Sequence, residues 1–296
     1  MDIYEKVTNQ IIELLEKGNL SWVKGWKSGQ PLNYLTKKEY NGINIFLLNM
    51  HASMHGFKKP YYITYRQLKE LSKRDKKNYH VKAGSKAQLC AKYDTFEKKV
   101  KKRNKNGRIE EEVKTIPFMK AFWVFNVEQT NMPVKEEKKA FNSIEACEDI
   151  IAGYTDKPEI RTGGNSAFYH PLDDYIQLPP RESFNSEEEF YSTAFHEITH
   201  STGHQSRLQR EGIVNMGATF GGAAYSNEEV IAELGSAFLC AVAHVEKKVI
   251  NNNAAYIRGW LKELRRDKKH IFKMASEAQK AADYITGKTK NTKVKQ

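Results

Sequence analysis

The chain has 296 residues, which is long enough for two domains, and 40% of its residues are apolar. No stretch approaches the roughly 18 consecutive apolar residues of a membrane-spanning helix, so the composition indicates a soluble globular protein and excludes an integral membrane protein. The N-terminal residues lack a basic and then apolar signal, and we therefore expect a cytoplasmic protein without a membrane partner. Cys90, Cys147 and Cys240 are far apart in sequence and are predicted to be buried thiols.

The net charge of +12 is unevenly distributed. Residues 1–130 contain 26 Lys and Arg against 13 Asp and Glu, which gives +13. Residues 131–245 contain 8 basic and 18 acidic residues, which gives −10. Residues 246–296 contain 14 basic and 5 acidic residues, which gives +9. A basic front, an acidic centre and a basic tail indicate a polyanion-binding domain joined to a domain with a different task. Lysines that only solvate a surface explain the charge equally well.

In chain order, the first predicted elements form a small α+β unit. Apolar residues at helical spacing predict a helix from Ile3 to Glu16, which Gly18 ends. A turn over Asn33 to Asn44 leads into an apolar helix, and Thr64 is typical of the cap of a short helix that runs to Leu71. The patterns that follow predict two strands and, between them, a solvated hairpin or flexible insert: Ala87 to Tyr93, Phe118 to Val127, and Glu97 to Lys114 for the insert.

A short segment after the first helix combines tryptophans with lysines: Trp22, Lys24, Trp26 and Lys27. Ring faces can stack on unpaired bases and ammonium groups can neutralise phosphates, so the segment is typical of single-stranded nucleic-acid binding. Tryptophans that belong to the core give the same pattern, and that is the more common case for any single one.

The pattern His-Glu-x-x-His lies in the acidic centre of the chain. His196 and His200 are four residues apart, so on a helix both imidazoles leave from one face and can share a metal ion. Glu197 can lie beside that ion and take a proton from a water molecule. This is the arrangement of zinc hydrolases, in which three protein ligands leave a fourth position open. A solvated helix can show the same five-residue pattern by chance.

The residues around this motif predict a helix. The stretch from Glu187 has acidic residues in its first turn and apolar residues on one face, after a cap at Asn185 or Ser186. Gly203 is predicted to end the helix.

A third ligand is required, and its position decides the type of site. A metzincin would have a histidine where this chain has Ser206. His204 comes too early for that role, so we predict that it lies beside the metal ligands or on the substrate side. A plain polar residue after the helix explains it equally well.

A carboxylate on a second helix is the better candidate. The stretch from Ser226 to Leu239 begins with a capping signal at Ser226 or Asn227 and continues as an apolar stripe. Glu229 and Glu233 are four residues apart on one face, and inward carboxylates are costly unless a cation meets them. We therefore predict Glu229 as the third ligand and Glu233 as the residue that orients a histidine. Glu233 and Glu228 remain alternative ligands, although an acidic first turn also accounts for Glu228.

The charged, proline-containing segment 132–140 is predicted to be a linker between two domains, residues 1–131 and residues 141–296. The fold class that follows is α+β.

The second domain begins with a predicted helix, Phe141 to Tyr154, and continues with short strands between Ile160 and Leu178. Asp173 and Asp174 are predicted to form a turn rather than a metal site. Basic amphipathic helices from Tyr256 to Ile285 end the domain, and for these we favour a solvated surface over a second DNA contact.

Two ordered sets of motifs resemble the ArdC-type antirestriction proteins. In residues 3–130 the resemblance rests on Trp22 to Trp26, Asn33 to Asn44, Tyr62 to Gln67, and Val124 to Thr130. In residues 160–240 it rests on Phe168 to Pro171, Asp174 to Pro179, His196 to His204, Ser206 to Arg210, and Glu228 to Phe238. An ordered set over most of the chain is far more specific than the histidine motif alone.

The resemblance implies a small α+β domain that binds single-stranded DNA, followed by a zincin-like metallopeptidase domain with the HExxH helix. It implies protection of a mobile element, such as a conjugating plasmid, from host restriction. One divalent ion, with zinc favoured over manganese, would be held by His196, His200 and Glu229, with Glu197 as catalytic base. A host protein substrate or a restriction enzyme is a further candidate partner. The residues expected to contact DNA are Trp22, Lys24, Trp26, Lys27, Tyr40, Asn44 and Arg66.

The chain departs from the family pattern in its long charged insert and in Lys38-Glu39, which replace a glycine-containing turn. The alternative function is a protein that coats entering strands without enzymatic activity and whose metal ion only stabilises the fold. A DNA-processing role is weaker, because the sequence has no acidic polymerase or nuclease cluster.

Overall fold

The computed structural model describes residues 2–16, 29–103, 109–133, 143–215, 223–245 and 254–288, and within them the protein is α+β as predicted. The N-terminal part contains helices α1 (Ile3–Glu16), α2 (Ile43–His55) and α3 (Tyr65–Arg74), and strands β1 (Leu32–Asn33), β2 (Tyr61–Ile63), β3 (Gln88–Arg103) and β4 (Ile109–Asn126). The C-terminal part contains helices α4 (Ser143–Gly153), α5 (Glu187–Ser201), α6 (Glu211–Val214), α7 (Ala223–Val242), α8 (Ala254–Arg266) and α9 (His270–Ile285), and strands β5 (Glu159–Thr162), β6 (Phe168–His170) and β7 (Tyr175–Leu178).

Helix α3 shows how local sequence sets the elements of the first part. The Thr64 side chain accepts a hydrogen bond from the Gln67 N–H at 3.2 Å, and the Gln67 side chain accepts one from the Thr64 N–H at 3.0 Å. This capping box starts the helix where the sequence predicts it. The helix ends at Arg74 rather than at the predicted Leu71, because the lysine and arginine after Leu71 are good helix formers.

Strands β3 and β4 form a long antiparallel hairpin. Their register runs from Gln88 opposite Val124 to Arg103 opposite Ile109, so the described parts of the charged segment, residues 97–103 and 109–114, pair as strands, which fits the hairpin of the two predicted alternatives. Strand β4 also pairs with β2, and β2 pairs with β1, which gives the sheet order β1-β2-β4-β3. The outer strand β3 therefore lies at the edge of the sheet.

A smaller sheet, with the order β5-β7-β6, confirms the short strands predicted in the second part. Strand β5 pairs with β7 in parallel, and β6 pairs with β7 in antiparallel orientation. Tyr169 and Ile176 lie opposite each other and are buried, and both belong to the main core with Phe195 of α5. The sheet thus packs against the helix that contains the two histidines.

One apolar core joins the two parts of the chain. It includes Ile11 of α1, Phe46 of α2, Phe238 of α7 and Ile271 of α9. Helix α1 has the predicted bounds, while Gly18 and most of the predicted linker lie outside the described residues. The three cysteines are buried and free, as expected. The division at residues 131 and 141 stays a prediction, since the core is continuous across it.

Two basic residues of the last two helices, Arg265 and Lys273, lie on the solvated surface. Arg265 of α8 pairs with Glu16 of α1, and Lys273 of α9 pairs with Asp267, and all four side chains are exposed to solvent to a large degree. Exposed cations fit a solvated surface and a second DNA contact equally well, so the favoured interpretation of that basic segment stays a prediction. Within the described part of the chain, none of the helices combines the length and the apolar character needed to cross a membrane.

Helices α5 and α7 form the pair that positions the candidate site. Gly235 of α7 lies directly against Thr199 of α5, and a Cβ added to the glycine would stand 2.5 Å from Cγ2 of Thr199. The adjacent Ser236 donates a hydrogen bond to the carbonyl oxygen of Ser192 at 2.8 Å. The absence of a side chain at Gly235 therefore lets the two helices approach closely.

Replacing Gly235 by alanine is expected to push α7 away from α5 and to lower the free energy of unfolding by about 1–3 kcal/mol, the usual cost of overpacking a core. Denaturant unfolding of the purified variant measures this change. Gly259→Ala in α8 is the matched control, because a Cβ there meets no atom within 4 Å. That control should be stabilised by about 0.5–1 kcal/mol, since alanine is the better helix former. The same effect from both substitutions would contradict the close contact.

Candidate metal centre

Helix α5 brings two histidines into the core. The Ser186 side chain accepts a hydrogen bond from a first-turn N–H at 3.2 Å, which confirms it as the cap. All residues of the helix from Tyr191 to Ser201 are buried. His196 and His200 are one turn apart, and their Nε2 atoms lie 3.1 Å from each other. The two imidazoles therefore converge on one point.

The Glu229 carboxylate on α7 completes a cluster of three side chains that could hold a metal ion. Its oxygens lie 3.5 Å from Nε2 of His196 and 3.6 Å from Nε2 of His200. Ligand atoms about 2.0–2.2 Å from a tetrahedral ion are about 3.3–3.5 Å apart. The three observed separations are close to this value, so the residues fit one ion that keeps a fourth position open. The three residues are between 5% and 9% exposed.

The electrostatics of the centre also favour a cation. Glu197, Glu228 and Glu229 are all buried around the two histidines. Burial lowers the pKa of His200, but the hydrogen bond to Glu228 and the charges of Glu229 and Glu197 outweigh burial and raise this pKa to about 9. A positive charge is therefore stabilised at this ring, and a divalent ion supplies that charge without a proton.

A buried ion pair orients His200 from behind. Nδ1 of His200 donates to Oε1 of Glu228 at 3.3 Å. Arg210 donates twice to the same carboxylate, from Nε to Oε2 at 2.9 Å and from Nη2 to Oε1 at 2.6 Å. Burial raises the pKa of Glu228, but the hydrogen bonds from Arg210 and His200 outweigh it and hold this pKa below its usual value. A charged Glu228 fixes the ring so that Nε2 points into the site.

The structure corrects the prediction for the start of α7. The sequence predicts a cap at Ser226 or Asn227, with Glu228 in an acidic first turn or as an alternative ligand. The helix instead begins at Ala223, because alanines extend it towards the N-terminus. Glu228 is then beyond the first turn and only 1% exposed. Sequence reasoning named Arg210 within a motif but missed its role, although a buried carboxylate needs such a cationic partner.

Glu233 lies behind the other histidine. Its Oε1 atom is 3.6 Å from Nδ1 of His196, which is just beyond hydrogen-bond distance. The Nδ1 atom is buried and has no hydrogen-bond partner in this structure. Glu233 therefore stands on the side of the ring from which it is predicted to orient His196, and that role stays a prediction.

His204 contacts a second ion pair at the end of α5. Its Nδ1 is 2.8 Å from the Ser206 hydroxyl and 3.9 Å from the Asp174 carboxylate. Asp174 accepts hydrogen bonds from Arg207 and from the hydroxyl of Tyr169, and it lies in the predicted turn. Burial raises the pKa of Asp174, but these bonds outweigh burial and lower it. The contacts of His204 thus support the alternative of a polar residue after the helix.

Gly203 makes room for the buried arginine. A Cβ at this position would lie 2.6 Å from Ile213 and 3.0 Å from Nη2 of Arg210. The same Nη2 donates to the carbonyl oxygen of Thr199 at 2.8 Å. Gly203 follows the end of α5 as predicted, and the structure shows that close packing rather than a left-handed turn requires glycine here.

The seven residues predicted to contact DNA are either outside the described residues, exposed, or engaged in contacts within the protein. Trp22, Lys24, Trp26 and Lys27 lie outside the described residues and stay predictions. Arg66 on α3 forms an ion pair with Glu70, but its side chain is 90% exposed and can still meet a phosphate.

Tyr40 and Asn44 both make contacts within the protein. Tyr40 is buried and its ring stacks on Phe122, with 6.5 Å between the ring centroids. Burial also raises the pKa of Tyr40 to about 12. The Asn44 side chain donates to the Ala91 carbonyl oxygen at 2.7 Å and accepts from the Ala91 N–H at 2.9 Å, which joins α2 to β3. A covered ring and an occupied amide argue against base contacts, and the DNA-binding roles of both residues stay predictions.

Comparisons with known proteins agree with this fold and site. A family model described as a zincin-like metallopeptidase matches residues 145–277, and a model of the N-terminal domain of anti-restriction factor ArdC matches residues 1–125. The protein y4eC of Sinorhizobium fredii (strain NBRC 101917 / NGR234) is 32% identical, over 96% of this chain and 91% of its own length. The DNA primase TraC of Escherichia coli is 30% identical over 95% of this chain, which spans 27% of the primase.

Two crystal structures of the antirestriction protein ArdC from the R388 plasmid are similar over nearly the whole chain. The metal-free structure and the Mn(II)-bound structure both show 33% identity and a TM-score of 0.73. The match to the metal-free structure covers 98% of this chain and 99% of the ArdC chain. The match to the Mn(II)-bound structure covers 99% of this chain and 100% of the ArdC chain. The fold and the site define a zincin-like metallopeptidase domain behind an ArdC N-terminal domain. The chain belongs to the ArdC family of antirestriction proteins.

Replacing Glu228 by glutamine is expected to lower the free energy of unfolding of the metal-stripped protein by about 3–5 kcal/mol, because Arg210 is left as a buried charge without its partner. Metal affinity should fall by about 10- to 100-fold, since the ring of His200 loses its orientation. Denaturant unfolding and competition with a chelator measure the two effects.

Glu70→Gln is the matched control for this substitution. It removes the partner of an arginine that is exposed, and an exposed ion pair is worth about 0–1 kcal/mol. A Glu228→Gln protein that loses no more stability than Glu70→Gln would contradict the assigned ion pair.

Proposed function

We propose that this protein protects the DNA of a mobile element from host restriction. Its N-terminal domain, residues 1–131, binds single-stranded DNA, and residues 141–296 form a metal-dependent hydrolase that cleaves a peptide bond. The enzymatic part rests on the three buried candidate ligands His196, His200 and Glu229. Glu197 follows His196 directly in sequence. Membership of the ArdC family supports the antirestriction part.

The proposed mechanism assigns one task to each side chain of the site. His196, His200 and Glu229 would hold the ion, which would polarise a peptide carbonyl and make a water molecule more acidic. Glu197 would accept the proton of that water as general base and deliver it to the leaving amine. The α5 backbone fixes Glu197 beside His196, and its burial excludes solvent that would compete for the carboxylate. Arg210 acts only indirectly, through Glu228.

Zinc is the proposed metal, because two imidazoles and one carboxylate form a ligand set of catalytic zinc sites. Manganese is the alternative, since a carboxylate ligand also suits it. The ArdC protein of plasmid R388 has a Mn(II)-bound form, which supports this alternative.

Charge and family membership support the DNA-binding part. Residues 1–130 have a net charge of +13, which attracts a polyanion. The tryptophans and lysines of segment 22–27 and the exposed Arg66 are the proposed contacts, with rings for bases and cations for phosphates. A DNA primase shares this region, which is consistent with a role on DNA.

A coating protein with a structural metal ion is the second candidate. The observation in its favour is the strong burial of the three candidate ligands, because structural metal sites are closed to solvent. In this version the protein covers entering strands, and Glu197 has no catalytic task.

Glu197→Ala is expected to keep the metal ion and to lose peptide hydrolysis by at least about 10²- to 10⁴-fold, the usual contribution of a general base. His196→Ala is expected to lose both, because it removes a ligand. Elemental analysis measures the metal, and cleavage of unfolded casein measures hydrolysis. Glu187→Ala, at an exposed position of the same helix, is the control that should change neither.

Unchanged metal content in His196→Ala would overturn the ligand assignment. Transfer of an unmodified plasmid into a restricting host separates the two candidate functions. A Glu197→Ala protein that protects the plasmid as well as the parent protein would support the coating function and reject a need for hydrolysis.

Binding of labelled single-stranded DNA is expected to weaken steeply between about 50 and 200 mM salt, because each neutralised phosphate releases counterions. The logarithm of affinity should fall with the logarithm of salt concentration by about 0.7 for each phosphate contacted. Fluorescence anisotropy at several salt concentrations measures the slope. An affinity that does not change with salt would exclude the basic domain as the contact surface.

A further inference from the structure

The β3–β4 hairpin presents two chemically different faces. Side chains alternate between the faces of a strand, and residues opposite each other in the register share a face. Beyond the core, one face contains these opposed pairs in outward order: Lys92 and Lys120, Asp94 and Phe118, Phe96 and Ile116, Lys98 and Lys114. We call this the lysine face. Its 4 Lys against 1 Asp give +3.

The other face of the same span is not basic. Within residues 92–98 and 114–120 its one charged residue is Glu97, which gives −1, and Lys99 follows one residue beyond this span. Tyr93, on this face, contacts the Tyr4 hydroxyl of α1, and the neighbouring Met119 packs against the main core. Nearer the base of the hairpin, Cys90 and Val124 on the same side as the lysines are buried against Tyr62, so the lysine face is exposed only from Lys92 and Lys120 outward.

Two phenylalanines are exposed in the middle of the lysine face. Phe96 is 47% exposed and Phe118 is 36% exposed, and their ring centroids are 5.7 Å apart. Lys120 lies 5.9 Å from the Phe118 ring and 3.5 Å from Asp94. Lysines alone would be explained by the need to stop an edge strand from pairing with another sheet. That need does not explain two exposed phenylalanines on the same face.

The arrangement matches the chemistry of an unpaired nucleic-acid strand. Exposed aromatic rings stack on bases of any type, while lysines on either side neutralise the phosphates. The two lysine pairs are six residues apart along the strand, which is about 20 Å. A duplex would offer the phosphates but not the base faces, so the rings favour single-stranded DNA.

We propose that the lysine face, formed by Lys92, Phe96, Lys98, Lys114, Phe118 and Lys120, is a single-stranded DNA site of this protein. This inference rests on the proposed DNA-binding function and assigns it a surface on β3 and β4.

The experiment measures the affinity of the full-length protein for a labelled oligothymidylate of about 16 nucleotides, the upper end of single-domain site sizes. Fluorescence anisotropy is recorded over a range of salt concentrations. The double variant Phe96→Ala with Phe118→Ala should bind about tenfold more weakly for each ring that stacks on a base. The double variant Lys98→Ala with Lys114→Ala should reduce the salt slope by about 0.7 per lysine.

Lys99→Ala is the matched control, because it removes an adjacent lysine on the opposite face and should leave affinity and slope close to those of the parent protein. Circular dichroism and thermal unfolding show that each variant is folded. All substituted side chains are exposed, so the fold should be retained.

The outcomes separate this inference from the proposed function. A parent protein that binds no single-stranded DNA overturns both. A parent protein that binds with a steep salt slope, together with double variants that match Lys99→Ala, overturns the lysine face and leaves the DNA-binding function standing. A parent protein that dimerises through the phenylalanines, with DNA affinity unchanged in their double variant, assigns the face to a second copy of the chain and also overturns the inference.

Discussion

The contact between α5 and α7 places acidic side chains against histidines inside the protein, and most features of the C-terminal part follow from it. Charges in the interior are costly unless they are balanced. Arg210 balances Glu228, whereas Glu229 faces His196 and His200 with a geometry that fits a divalent ion. The cation that the proposed chemistry requires is therefore also the cation that the packing requires. Stability and activity should depend on the same ion in this domain.

Much of the site could be predicted because helical periodicity is visible in the sequence. The spacing of His196 and His200, and that of Glu229 and Glu233, places each pair on one face of a helix. The need to neutralise inward carboxylates then brings the two helices together. Arg210 could not be predicted in its role, because it reaches Glu228 through a loop whose path depends on tertiary packing. No local pattern indicates which carboxylate it will meet.

The N-terminal part shows the same division between local and tertiary information. The cap at Thr64 is a local signal, and the structure confirms it. The burial of Tyr40 could not be predicted, because its motif does not reveal whether the ring faces solvent or the strand that contains Phe122. The two faces of the hairpin could not be predicted either. The sequence does not reveal which residue of β4 lies opposite each residue of β3, and only that register shows which side chains share a face.

The shared core has a consequence for how such proteins can be divided. Ile11 and Phe46 from the first part are buried with Phe238 and Ile271 from the second, so neither part encloses a complete interior. If the chain were cleaved between the two parts, each fragment would expose an apolar surface. We expect such fragments to aggregate or to reassociate. We therefore expect recombination between genes to transfer the two parts together rather than separately. The larger primase fits this expectation, because it matches 95% of this chain rather than the front half alone.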